Sequence, residues 1–380
     1  MNGVAVRSFA SEKSDAANYL YVGVDVHKDS HTAVITDCFG QRIKEVRVSN
    51  YEKDFESMVK IIKKEAKREK KDVVFGLEDS YSYGARLARF LYRKGFTVKM
   101  VPPVVVDRGR KKETHPEKSD SLDAFGAALA LIQRIGSLPD YIITKASDIA
   151  REMKELNRDR EFLVKERTRL KNNLHELLHR SYNSEYKTIF KDTFSKKALE
   201  YWLLHPVDER DTVSSFVLEG RIKRKVRRLM EIIEEIGAIE NELSVLIAKS
   251  EQKLETLNGC GVVLTAAVLA EVRDIDRFRS PDALAKYAGL CPSERSSGKT
   301  VRHVKTKSGN RRLNTAVHRI AISQIGRSGN EHARAYFERK ISEGKSKTQA
   351  LCCLKRRLIN IIYMMLKYKE KYNYLKKYLT

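Results

Sequence analysis

Four carboxylates in the first third of the chain stand at points where a folded backbone presents side chains to a site. Asp25 lies at the end of the apolar run YLYVGVDV, Glu78 near the end of VVFGLEDS, and Asp120 and Asp123 lie three apart in KSDSLDA. Taken singly each is a weak signal, because an acid after a strand is commonly a turn residue, and Asp79 competes with Glu78 for the role. Taken together they are specific. Four carboxylates in one place repel strongly unless cations occupy the site. Two Mg²⁺ ions about 3.5–4 Å apart are the natural occupants, with Mn²⁺ as the alternative ion. Such a site activates an attacking oxygen and stabilises a leaving oxygen at a phosphodiester.

A second candidate for chemistry lies far along the chain, in PSERSSGKTVRHVKTKSGNRRLN, from Pro292 to Asn314. It holds seven Lys or Arg residues and one carboxylate, Glu294. Ser296 and Ser297 precede Gly298. A serine hydroxyl is a poor nucleophile at neutral pH and needs activation, and the nearest following histidine, His303, is six residues on. The charge by itself fits a solvated basic loop as well as a phosphate-binding one.

The elements that must position the acids follow from apolar periodicity. Tyr19 to Val26 is apolar except for Gly23 and Asp25 and reads as a buried strand. HTAVITD and RIKEVRVS are a second and third strand, joined by short connections as hairpin neighbours. Residues 52–70 form an amphipathic helix with Phe55, Met58, Ile61 and Ile62 on its apolar face. A fourth strand starts at Val73, YGARLARFLYRKG is a helix closed by Gly95, and TVKMVPP is a fifth strand stopped by Pro102 and Pro103. A basic linker (Arg108, Arg110, Lys111, Lys112) then leads to the helix HPEKSDSLDAFGAALALIQRI. Asp120 and Asp123 share one face near the start of that helix. Three antiparallel strands followed by helix, strand, helix, strand and helix is the order of an RNase H-like fold.

Composition sets the outer bounds. The 380 residues suffice for two or three domains, and 42% are hydrophobic, so a core is expected and global disorder is not. The net charge of +24 implies a polyanionic partner, with DNA or RNA first. With no run of about 18 apolar residues and no signal peptide, no membrane partner is expected. Five scattered cysteines without a CxxC pair suggest reduced thiols in a cytoplasm, not a disulfide frame or a zinc site.

From Asp148 the pattern is helical. Leu156, Leu163, Leu170 and Leu177 recur every seven residues, and Leu229, Ile232, Ile236, Ile239, Leu243 and Leu246 form a second seam. The two stretches either pack on each other within one chain or form a dimerising coiled coil. Between them, residues 181–221 read as a short helical subdomain around Trp202. RIKRKVRR (Arg221 to Arg228) grips nucleic acid or is a solvated helix face. Further on, Gly259 and Gly261 flank Cys260 in a tight turn before an Ala/Leu-rich helix, a weak helix-hairpin-helix signal that offers backbone N–H groups to a phosphate. Ser280 and Pro281 start another helix, and Gly289 and Pro292 end it. An amphipathic helix from Leu313 to Gly326 and a basic helical region close the chain.

YVGVDVHKDSHTAVI, FGLEDSYSYGARLARFLYRKGFTVKMVPP and KSDSLDAFGAALA resemble the N-terminal DEDD domain of insertion-sequence transposases of the IS-one-ten type. That domain is similar in fold to RuvC Holliday-junction nucleases. The family pattern falls on Asp25, Glu78, Asp120 and Asp123. The C-terminal half resembles the same family in Gly259-Cys260-Gly261, Tyr287 to Pro292, Ser297-Gly298, and Lys307 to Leu313. The resemblance covers roughly residues 19–135 and 250–330, and the middle matches only in kind.

It implies a flexible arm over 1–18, a RuvC-like α/β domain over 19–145, a helical coiled-coil insertion over 146–250 and a mostly helical serine domain over 251–380. It implies that the metal-bound acids and Ser297 form a composite site in which Ser297 attacks a DNA phosphate to give a phosphoserine link. Gly259, Gly261, Lys299, Arg302, Lys305, Lys307, Arg311 and Arg312 are then candidates for nucleic-acid contact. The implied partners are donor and target DNA, a noncoding bridge RNA that selects the target, and further copies of the chain as a homodimer or homotetramer. A bacterial or archaeal cytoplasm, in use at the nucleoid, is the implied setting. A site-specific invertase, a plain RuvC-like nuclease and a non-catalytic nucleic-acid scaffold are the alternatives. The actin-like sugar kinases share the fold type, but their paired Gly-rich phosphate loops are absent from the sequence.

Overall fold

The computed structural model describes residues 16–80, 82–110, 119–207, 213–297, 300–304 and 309–373. They divide into two compact units, one ending at Ile143 and the other starting at Thr144.

The first unit is built on five strands. β1 (Tyr19–Val26), β2 (Ser30–Thr36) and β3 (Arg42–Ser49) form an antiparallel meander, followed by α1 (Glu52–Glu69), β4 (Asp72–Leu77), α2 (Ala85–Arg93) and β5 (Thr97–Met100). The strand order is β3-β2-β1-β4-β5, with β4 parallel to β1 and β5 parallel to β4. This is the mixed sheet that the sequence order predicts.

Side chains alternate along a strand, so β1 serves two faces. Leu20, Val22 and Val24 join Phe55, Met58 and Ile62 of α1 and Leu87 and Leu91 of α2 in one core. Tyr21 and Val74 join a second core on the opposite face. That face is covered by α3 (Pro103–Arg110), through Val106, and by α4 (Asp120–Arg134), through Ala127 and Leu131.

α3 corrects one expectation. The segment read as a basic linker is helical as far as Arg110. Pro103 ends the sheet but also opens a helix, since its fixed φ and missing N–H suit a first helical position. Lys111 and Lys112 lie outside the described residues.

The second unit starts with two helices of 38 residues, α5 (Lys145–Tyr182) and α8 (Val213–Ser250). They pack antiparallel. Leu163 lies with Ile232 and Ile236, and Leu174 and Leu177 with Ile222, Val226 and Leu229. The two seams of the sequence therefore face each other within one chain. Arg160, which interrupts the first seam, reaches Glu240 across the pair at 2.7 Å. Between them, α6 (Tyr186–Ile189) and α7 (Lys196–Leu204) close the turn around Trp202, which is fully buried and donates from Nε1 to Thr193 O at 2.9 Å.

The remaining elements are α9 (Val262–Val272), α10 (Pro281–Tyr287), β6 (Ser293–Ser297), β7 (Thr300–Val304), α11 (Arg311–Ile325), α12 (Glu331–Ser342) and α13 (Lys347–Tyr368). Leu269, Leu284, Leu313, Ile320, Leu358 and Ile362 form the shared core of α9, α10, α11 and α13, which Met153 of α5 and Leu243 and Ile247 of α8 also enter. Ser280 caps α10 as expected, accepting from Ala283 N, with Pro281 following. The basic stretch after Pro292 contains an antiparallel β6–β7 hairpin.

Candidate active site

The acid site begins with two glycines. Gly23 of β1 pairs with Gly76 of β4 on the face that α4 covers. A Cβ on Gly23 would lie 2.0 Å from Ala124 O and 2.2 Å from Ala128 N, so only glycine lets the α4 backbone rest on the strand. A Cβ on Gly76 would meet the Leu131 side chain at 2.7 Å. Two residues on from Gly23, on the same face, is Asp25, and two residues on from Gly76 is Glu78. The contact of α4 with β1 carries the first turn of that helix over the strand end. There Ser119 caps it, accepting from Leu122 N at 3.2 Å, and Asp120 and Asp123 occupy the turn.

Asp25 is buried, with 6% of its surface exposed. The His27 imidazole lies between two of the acids, with Nε2 3.0 Å from Asp25 Oδ2 and 3.1 Å from Asp120 Oδ1. Arg47 Nη2 stands 3.6 Å from Asp120 Oδ2. The sheet register explains why Arg47 is there. Asp25 is opposite Thr32 and Thr32 opposite Arg47, so the three form one row across β1, β2 and β3.

Burial raises the Asp25 pKa. The neighbouring His27 opposes this, and the charges of Asp123 and Asp120 add to it. Both α4 acids are thus close enough to disfavour a second negative charge at Asp25, the condition that a bound cation relieves. Among the described residues, Asp25, His27 and Asp120 form the group whose ligand atoms all lie within 4.8 Å of one another. Glu78, half-buried with its N–H directed to Val24 O at 3.4 Å, and Asp123 are outside that group. Two carboxylates and an imidazole are a fitting donor set for a divalent ion.

The sequence reading missed His27 and Arg47. His27 had a legible signal, since it lies two residues after Asp25 and continues the same alternation. Arg47 had none, because its place depends on the β2–β3 register.

The serine site is built differently. Ser297 is the last residue of β6, opposite Thr300, and Ser296 is opposite Val301. Described segments on the two sides of this hairpin are tied together. Gly309, at φ +109°, packs so closely that a Cβ would lie 2.6 Å from Gly289 N. Asn310 donates its backbone N–H to Tyr287 O at 2.7 Å. Its side-chain Nδ2 donates to Glu271 Oε2 at 2.6 Å and to the Tyr287 hydroxyl at 3.0 Å, while its Oδ1 caps α11 by accepting from Leu313 N at 2.9 Å. Asn314 donates to Ala288 O at 2.9 Å and accepts from Lys355 Nζ at 2.7 Å. YAGL and GNRRLN are therefore two halves of one clamp beside the hairpin.

The expected nucleic-acid contacts fall into three groups. Lys299, Lys305 and Lys307 lie outside the described residues. Arg302 is on β7 opposite Arg295, and Arg311 and Arg312 open α11, where Arg312 approaches Glu161 of α5 at 3.5 Å. In the glycine turn, Gly259 at φ +77° faces α11, where a Cβ would lie 2.8 Å from the Ser323 side chain. Gly261 is exposed and precedes α9 directly.

Residues 22–183 match a family model described as a transposase, of the IS110 DEDD type, and residues 251–338 match that of the transposase IS116/IS110/IS902 family. The chain is 25% identical to an uncharacterized 44.8 kDa protein of insertion element IS116 from Streptomyces clavuligerus, over 92% of this chain and 95% of that one. It is 24% identical to the 42 kDa protein of insertion element IS900 from Mycobacterium paratuberculosis, over 92% and 96%. It is 28% identical, over 41% of its length and 45% of the relative, to the transposase for insertion sequence element IS1111A from Coxiella burnetii. A mixed sheet with clustered acids and two such matches define a DNA transposase, an enzyme of phosphodiester transfer. The chain belongs to the IS116/IS110/IS902 transposase family. Among the described residues no helix is long and apolar enough to cross a membrane.

Proposed function

We propose that this transposase is a RuvC-like, metal-dependent strand-exchange enzyme in which Ser297 becomes covalently joined to DNA under the guidance of an RNA. The observation that carries the reading is the seating of α4 on Gly23, which supports a shared role for Asp120 and the buried Asp25. Asp25 and Asp120, with the His27 imidazole beside them, would hold a divalent ion, Mg²⁺ or Mn²⁺, and Glu78 and Asp123 would add the remaining carboxylates of the site. A divalent ion there supplies positive charge to the phosphate and its leaving oxygen.

The chain's own groups do the rest. The Ser297 Oγ–P bond forms as the P–O3′ bond breaks; the serine hydroxyl gives up its proton and the 3′ oxygen gains one. The clamp of Asn310 on Tyr287 and Glu271 fixes the base of the hairpin that bears the serine. Arg302, Arg311, Arg312 and the lysines between them offset phosphate charge, and Gly261 offers an exposed N–H. The net charge of +24 suits a chain that holds two DNA segments and a structured RNA, as a dimer or tetramer.

The test is Ser297→Ala in a strand-exchange assay with the full nucleoprotein. Exchange is lost while RNA and DNA binding persist. A variant that still cuts DNA in Mg²⁺ identifies a plain metal nuclease instead.

A further inference from the structure

We infer that the cleft between α5, α9 and α11 is a seat for a backbone phosphate of the nucleic acid, held by Lys154, Arg311 and Arg319. It deepens the reading above by joining Arg311 to Lys154 and Arg319, two residues that the reading leaves without a role. It rests on the chain's action on nucleic acid and not on the serine chemistry.

The cleft has a volume of about 170 Å³ and lies wholly within the second unit. Five cations line it, Lys154 and Arg160 from α5 and Arg311, Arg312 and Arg319 from α11, against the carboxylates of Glu161 and Glu271. Most of the local pairing is already committed. Arg160 is bound to Glu240 and Arg312 approaches Glu161. The buried Glu271 accepts from Asn310. Lys154, Arg311 and Arg319 form no ion pair among the described residues.

Lys154 is the telling case. It is half-buried, and burial pushes its pKa down; Glu271 opposes this, and Arg273 and Arg158 add to it. An ammonium withdrawn from water beside other cations is costly unless an anion completes it.

The start of α11 points the same way independently. Its first turn holds Arg311 and Arg312 and no acid. Cations at a helix N-terminus oppose the positive end of the dipole, and an anion there satisfies both the dipole and the guanidiniums.

The lining also says which part of a nucleotide is held. It is aliphatic, polar and charged, with no aromatic ring on which a base stacks. The cleft therefore takes the phosphate and leaves the base unread. Asn310 caps α11 and bonds Tyr287, a few residues before β6, so the strand that the cleft holds passes near the foot of the hairpin.

The probes are a fluorescein-labelled mixed-sequence DNA duplex and a fluorescein-labelled mixed-sequence RNA hairpin. Both are titrated with full-length protein by anisotropy over a series of salt concentrations, without divalent ions. Loss of one phosphate contact lowers the slope of log K against log salt by about 1. We expect Lys154→Met and Arg319→Ala each to weaken binding roughly three- to tenfold and lower that slope by about 1. Lys154→Arg retains most of the affinity, and the exposed Lys249→Ala of α8 changes neither quantity. A loss on the duplex alone assigns the seat to DNA, a loss on the hairpin alone to RNA, and a loss on both to either polymer. Wild-type affinity and slope in Lys154→Met with both probes overturns the proposal, as does an equal loss in Lys249→Ala. Circular dichroism and thermal melting of each variant separate binding loss from unfolding. Absence of a serine adduct would refute the covalent reading while leaving these binding results intact.

Discussion

In the first unit the acids stand at the end of the central strand β1 and on the first turn of α4, where Gly23 lets α4 rest on β1 and His27 bridges Asp25 and Asp120. In the second, Ser297 stands at the end of a two-stranded hairpin whose described anchors lie at its base, around Asn310. A close-packed interface fixes a side chain through dozens of small contacts. A clamp of a few hydrogen bonds, from Asn310 to Glu271 and Tyr287, acts on the flanks of the hairpin alone. This contrast matches the chemistry assigned to each part. Metal-binding acids need preset geometry, whereas a nucleophile that must meet a phosphate on a large substrate profits from late positioning.

Gly23→Ala gives the sharpest break in the comparison. The added methyl meets α4 backbone at 2.0 Å, with no flexible side chain to yield. We expect a destabilisation of the first unit above about 4 kcal/mol, among the largest single-residue effects. Thermal unfolding measures it, and cleavage is lost with it.

Asn310→Ala is next. It removes the side-chain bonds to Glu271 and Tyr287 and the α11 cap, and it leaves the buried Glu271 carboxylate short of a donor. A loss of about 1–3 kcal/mol is expected. Strand exchange falls more than divalent-ion binding, which calorimetry reads separately. An equal fall in both would erase the distinction between the two sites.

The smallest expected effect concerns Cys260, in the core of the second unit. Burial pushes its thiol up from 9.0 to about 11, against a bond with Thr265. The protonated form is the one that the fold favours. Its contribution to stability is whole below the ordinary thiol range and is lost as pH rises from about 9 towards about 11. Urea unfolding over that range shows a decline that Cys260→Ala lacks.

What the sequence made legible is uneven for the same physical reasons. Strands β1 to β5 were readable because apolar runs bounded by turn residues report burial directly. The two long helices were readable through their leucine spacing, and their mutual packing was one of two arrangements that the spacing allowed. α3 was hidden because prolines that end a strand also start a helix. The β6–β7 hairpin was hidden because it is polar and basic, with no alternation of apolar residues to mark it. In the acid site, Asp25 and Asp120 were found as strand-end and helix-start residues. Arg47 depends on register across two strand pairs, which no local spacing reveals. The clamp was visible only as separate motifs, YAGL and SGN, since its bonds join residues far apart in sequence.

The most direct measurement is to trap the reaction on a denaturing gel with labelled donor DNA, Mg²⁺, the proposed guide RNA and full-length protein. A covalent protein–DNA band is expected from the wild type and from Ser296→Ala, and none from Ser297→Ala or Asp25→Asn. A band that survives Ser297→Ala, or cleavage by the wild type with no covalent band at any time, would contradict the account.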